Sequence, residues 1–117
     1  MRKYGNQKTT IDGITFDSKL EAERYQQLRL LEKAGEISAL KLQVEFQILH
    51  GYKDAETGEK NRSRYYVGDF VYVDERTNRL VVEDTKGVET ADFSLKWAIA
   101  KSSYPEYQFR KVTRDDV

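Results

Sequence analysis

The chain has no cysteine, one histidine and one proline, and its charges cancel: 20 Lys and Arg stand against 20 Asp and Glu among 117 residues. Without cysteine there is no disulfide framework, thiol nucleophile, thiolate zinc site or iron–sulfur cluster. With His50 alone, mechanisms built on paired histidines are excluded, so any metal chemistry must use oxygen ligands. The zero net charge removes a global basic excess, and a nucleic-acid surface, if present, must be local. No stretch approaches the roughly 20 apolar residues of a membrane span, and the start MRKYGNQKTT lacks the apolar core of a signal peptide. These absences predict a soluble, cytoplasmic protein without a membrane partner. The glycines form neither G-x-x-x-x-G-K-[ST] nor G-x-G-x-x-G, which removes the simple nucleotide-cradling loops.

What is present is aromatic and carboxylate-rich. Eight Tyr, five Phe and one Trp exceed what disordered chains carry, and the length suits one hydrophobic core. One domain over 1–117 is expected, with residues 1–10 a flexible basic lead carrying Arg2, Lys3 and Lys8. Strong helix formers between Ser18 and Ala34, ended by Gly35, predict a first helix. Leu40, Leu42, Val44, Phe46 and Ile48 alternate with polar residues and predict a strand with one buried face. Residues 50–62 read as a hairpin-like connection. The stretch 64–73 and the stretch beginning at Arg79 and ending before Gly87 predict two strands joined by the turn DERTN. Thr90 or Asp92 can cap a second helix bearing Phe93, Trp97 and Ala100, and EYQFRKV predicts a last strand. The order helix, three strands, helix, strand implies an α/β (α+β) domain with a mixed central sheet flanked by helices.

The unusual residues are acids inside strands. Asp69 lies between Val67 and Val71, where an unpaired carboxylate is costly to desolvate. On the next strand Val82, Asp84 and Lys86 share a face by the two-residue period. A short turn makes the strands antiparallel neighbours and brings Asp69 toward Asp84, a pair of oxygen donors suited to Mg²⁺. Lys86 would then position the attacking water or stabilise negative charge on a phosphoryl centre. Glu21 lies on one helical stripe with Tyr25 and Leu28, yet Ser18 to Glu21 also fits a capping box, and both readings stay open. The bland alternative is a solvated Asp84–Lys86 pair on an edge strand.

The segments KYGNQKTTIDGITFDSKLEAERY, VGDFVYV, VVEDTKG and LKWAIAKSSYP resemble the PD-(D/E)XK nuclease superfamily, and within it small phage- and prophage-encoded endonuclease-like proteins, long carried as a domain of unknown function and related in fold to Holliday-junction resolvases. The resemblance runs over nearly the entire chain and implies a restriction-endonuclease-like core. It implies Glu21 as the helix glutamate, Asp69 as the first strand acid, Asp84 as the second and Lys86 as the catalytic lysine, with Glu21, Asp69 and Asp84 holding Mg²⁺, for which Mn²⁺ can substitute. Gly68 stands where the nominal motif has proline, and shared parity with Lys86 selects Asp84 over Glu83. The implied function is a Mg²⁺-dependent DNA endonuclease in phage recombination, repair or packaging, nicking or selective for branched DNA, and a homodimer where paired incisions are made. The alternatives are a non-catalytic DNA-binding or phage accessory module on the same scaffold, and a hydrolase of RNA or another phosphodiester. Weaker candidates for phosphate contact are Lys96, Arg62 and Arg64, with Tyr65, Tyr66 and Tyr72 available for base stacking or for packing.

Overall fold

The computed structural model describes residues 7–117. Arg2 and Lys3, expected in a basic lead, lie outside the described residues. Lys8 Nζ stands 3.2 Å from Asp17 Oδ1 in an exposed pair. The lead also ends sooner than residue 10, because Thr9–Ile11 forms β1 and pairs with β2, Ile14–Phe16, across a tight turn. Asp12 and Gly13 fill that turn with φ of 54° and 76°, values that aspartate and glycine tolerate.

Helix α1, Lys19–Lys33, runs where the composition puts it. Ser18 caps it by accepting from the Glu21 N–H at 3.1 Å, Lys33 sits in the last turn, and Gly35 leaves at φ 80°. Its buried residues are Leu20, Ala22, Arg24, Tyr25 and Leu28. Four strands make the main sheet: β3 (Ile37–Leu49), β6 (Arg64–Asp74), β7 (Arg79–Thr85) and β8 (Tyr107–Val112), in the spatial order β3-β6-β7-β8. The first three are antiparallel, and β8 joins β7 in parallel after the crossover through α2, Ala91–Ser103. Thr90, rather than Asp92, caps α2, its hydroxyl accepting from Phe93 N–H at 3.1 Å. The connection 50–62 carries a ladder of its own, β4 (Tyr52–Lys53) against β5 (Lys60–Asn61). A short 3₁₀ turn, Arg114–Asp116, follows β8. The result is a mixed α+β fold with a four-stranded mixed sheet and two helices, in the expected order of helix, three strands, helix and strand.

Two cores occupy the two sides of the sheet. Phe16, Ala22, Tyr25, Leu28, Ile37, Phe70, Tyr72 and Val81 gather under α1. Phe46, Tyr66, Val71, Val82, Phe93, Trp97 and Ala100 gather under α2. The row expected to bury one face of β3 is split between them, since Leu40 and Leu42 pack on the first core while Val44, Phe46 and Ile48 pack on the second. The switch falls at Gln43, whose φ is 53°. Strand β6 changes sides opposite it, with Tyr66 in the second core and Phe70 in the first. Gly68 lies at this crossing, and a Cβ there would stand 2.7 Å from Val82 Cγ1, closer than carbon atoms pack. The residue before Asp69 is therefore glycine because the strand runs directly over a fully buried valine.

Candidate functional site

The strand registers, continued outward from the sheet centre, set four residues in one row across it. Gln43 on β3 faces Asp69 on β6, Asp69 faces Asp84 on β7, and Asp84 pairs with Lys111 on β8. Lys86 follows β7 immediately and is tied to β8 by its N–H to the Val112 carbonyl at 2.9 Å. Glu21 joins from the first turn of α1, where Gln43 Nε2 donates both to Glu21 Oε2 at 3.2 Å and to Asp69 Oδ1 at 3.3 Å. The structure thus brings together Glu21, Asp69, Asp84 and Lys86, the four residues singled out from the sequence.

Each carboxylate is held differently. Asp69 Oδ2 accepts from the Thr85 N–H at 2.8 Å and from the Thr85 hydroxyl at 2.9 Å, which leaves Oδ1 facing Gln43. Asp84 is 3% exposed, so the solvated edge-strand alternative does not describe it; β7 is an interior strand. Its Oδ2 accepts from the Tyr66 hydroxyl at 2.7 Å. Its Oδ1 is sealed from solvent without a hydrogen bond, although Lys86 Nζ stands 3.4 Å away as an ion-pair neighbour. Burial, followed by the nearby charge of Asp69, raises Asp84 above the ordinary aspartate range, against the opposing pull of Tyr66 and Lys86. Glu21 rises from 4.5 to about 7, through burial first and then the charges of Asp69, Asp17 and Asp84. Burial and the Asp84 charge keep the Tyr66 hydroxyl protonated and donating.

Lys86 Nζ also lies 4.4 Å from the centre of the Phe93 ring, and this face of the ring steadies the ammonium near Asp84. Lys111 packs over Phe93 and Trp97 and pairs with Glu89 at 3.0 Å. The capping-box reading of Glu21 is half observed: Ser18 caps the helix, while the Glu21 carboxylate is bonded to Gln43. Glu83 turns to the opposite side of β7, where Arg24 donates to its two oxygens at 2.7 and 2.6 Å and the Tyr72 hydroxyl adds a third bond. The neighbouring acids therefore have separate surroundings, and Asp84, not Glu83, shares the side on which Lys86 stands.

The weaker candidates stand apart from this cluster. Lys96 pairs with Asp92 at 3.5 Å along the surface of α2. Arg62 and Arg64 line an open concavity of about 640 Å³ with Lys60, Asn61, Ser63 and Tyr65. Arg64 is five residues of strand from Asp69, a separation of roughly 17 Å. Tyr66 and Tyr72 are core residues whose hydroxyls serve Asp84 and Glu83, and only Tyr65 of the three is exposed. Sequence reasoning missed Gln43, Thr85 and Lys111. Gln43 reads as the polar side of an alternating strand, and nothing in its neighbours announces a left-handed backbone. Thr85 had a signal, a hydroxyl between the acid and lysine of D-T-K.

Among the described residues, no group of three or more His, Cys, Asp or Glu side chains is arranged to hold a metal ion as it stands. The donor chemistry nevertheless suits a hard cation: Asp84 presents a buried, unbonded carboxylate oxygen across from Asp69, and magnesium commonly takes only one or two protein carboxylates. The fold and site define a mixed α+β protein with a carboxylate–lysine cluster that runs across its sheet from the middle of β6 to the end of β7. The chain belongs to the family described as protein of unknown function (DUF1064), whose model matches residues 1–116. No curated protein and no solved structure matches it. Among the described residues no helix is long and apolar enough to cross a membrane.

Proposed function

We propose that the chain is a metal-dependent phosphodiesterase, a DNA endonuclease with a PD-(D/E)XK nuclease-like core. The observation that carries this reading is the buried Asp84 with an unbonded Oδ1, set across from Asp69 and 3.4 Å from Lys86. A folded chain leaves a buried carboxylate oxygen unsatisfied only at a cost, and such groups concentrate where a ligand completes them. The order of helix, three strands, helix and strand supports the nuclease-like core.

Asp69 and Asp84, with Glu21 beside them, would hold Mg²⁺ or Mn²⁺. When bound, such an ion acidifies a coordinated water and neutralises charge on the phosphate. The chain's own groups do the rest. Thr85 fixes Asp69 so that Oδ1 faces the site, Tyr66 fixes Asp84, and the stacked Lys86 ammonium stabilises charge developing on the phosphoryl oxygens. The Asp84–Lys86 ion pair keeps that ammonium aimed at the reacting centre.

The test is cleavage of supercoiled plasmid and of a four-way junction by the wild-type protein and Lys86→Ala, in Mg²⁺, in Mn²⁺ and in EDTA. Metal-dependent cutting that Lys86→Ala loses is the expected result, and the preferred substrate separates nicking from junction resolution. Absence of cutting together with junction binding in EDTA overturns the assignment in favour of a binding module.

A further inference from the structure

Among the described residues four non-glycine residues have positive φ, and three have local explanations. Asp12 and Asn78 sit in tight turns, which suit their short polar side chains. Ala39 lies where the β3–β6 register shifts by one residue between Ser38 and Lys41, a β-bulge. Gln43 has neither excuse. Its neighbours Leu42 and Val44 pair with Phe70 and Gly68 in unbroken register, yet φ is 53° in the middle of a strand. A glutamine held there costs on the order of 1–3 kcal/mol, and such outliers persist where the surroundings impose them.

The strain has a local result. The carboxamide of Gln43 sits between Glu21 and Asp69 and gives both its N–H groups to them, as a cation would serve both. Asp69 Oδ2 is already committed to Thr85, so the amide takes the remaining oxygen. Asp84 Oδ1, on a residue 3% exposed, accepts no hydrogen bond and has only the Lys86 ammonium, 3.4 Å away, as an ion-pair neighbour. Two carboxylate oxygens thus share a single amide, and Asp84, set across from Asp69, keeps a buried oxygen with only the Lys86 ammonium beside it.

We infer that Gln43 is a further member of the metal site, whose amide holds Glu21 and Asp69 when no cation is bound and turns over to offer Oε1 when a divalent cation enters. The turn is a rotation about the terminal torsion, which is broad and two-fold, and the backbone need not move. Amide oxygens are ordinary ligands of hard cations. The inference rests on the metal-dependent reading above.

The experiment measures Mn²⁺ affinity by electron paramagnetic resonance for wild type, Gln43→Gly, Gln43→Asn, Gln43→Glu and Asp84→Asn. Glycine keeps the left-handed backbone while removing the amide, and asparagine shortens its reach should glycine loosen the strand. Affinity is expected to fall about 10- to 100-fold in Gln43→Gly and Gln43→Asn. Gln43→Glu should bind Mn²⁺ at least as tightly as wild type, yet melt lower without metal because a further carboxylate joins the cluster. Wild-type affinity in Gln43→Gly alongside loss in Asp84→Asn overturns the role of Gln43 and leaves the metal site standing. No Mn²⁺ binding by wild type removes both.

Discussion

Glu83 and Asp84 are consecutive residues on one interior strand, both buried, and they face opposite sides of the sheet. Glu83 is saturated: Arg24 holds it at both oxygens, the Tyr72 hydroxyl donates to it, and Arg110 lies 3.9 Å away. Asp84 has one hydroxyl donor on Oδ2, while its buried Oδ1 has only the Lys86 ammonium, 3.4 Å away, beside it. A buried acid whose bonds are complete clamps a helix to a sheet; one left incomplete beside a second acid and a lysine is arranged to receive something. The clamp also serves the site, because Arg24 and Glu21 are three residues apart on α1 and the Arg24–Glu83 pair fixes where the Glu21 turn stands against β7.

The sharpest way to break this contrast is at its structural pole. Glu83→Ala leaves Arg24 buried without its partner, and chemical denaturation should show a loss of about 3–5 kcal/mol. A loss below about 1 kcal/mol means the clamp is ornamental and the two acids are not different in kind. At the other pole, Asp84→Asn should lower metal-dependent cleavage by on the order of a hundred- to a thousandfold, measured on plasmid, with no loss of unfolding free energy at pH 8. The stability half of that expectation follows from the raised Asp84, whose charged form burdens the metal-free fold. If Asp84→Asn unfolds as readily as Glu83→Ala, Asp84 is a second clamp.

Between the poles lies the crossing at Gly68. Gly68→Ala drives a methyl into Val82, and denaturation should show a loss of about 1–3 kcal/mol together with weaker cleavage, because the same shift displaces Asp69. Unchanged stability would mean β6 has room to move there. The smallest effect concerns pH. Glu21 is raised from 4.5 to about 7, so folding favours its protonated form; the stability it contributes is fully present below pH 4.5 and is lost as pH climbs through about 7. Melting temperatures of metal-free wild type should therefore fall, relative to Glu21→Gln, between those values. Added Mg²⁺ should cancel the difference at pH 8, and parallel curves for the two proteins would remove Glu21 from the site.

Much of this molecule was legible before folding was considered. Alternation and helix-former composition place α1, β3, β6, β7, α2 and β8 close to their observed ends, since each element buries an apolar stripe that its own residues specify. The hairpin of β1 and β2 was not legible, because three-residue strands carry too little pattern to stand out from a polar lead. Three of the four site residues were marked by acids or by a lysine where strands ought to be apolar, and Glu21 by its helical stripe. The split of β3 between two cores was hidden, since alternation is the same whichever core each residue reaches.

The sequence alone determined the element order, the acid and lysine positions, and the parity that joins Asp84 to Lys86, because these follow from local periodicity. Only the tertiary structure decided that Glu83 would be satisfied and Asp84 left open, that Gly68 must pass over Val82, and that Gln43 would turn left-handed between Glu21 and Asp69. Those outcomes depend on residues 11 to 59 positions apart meeting in space, and no local pattern encodes which buried charge finds its full set of partners.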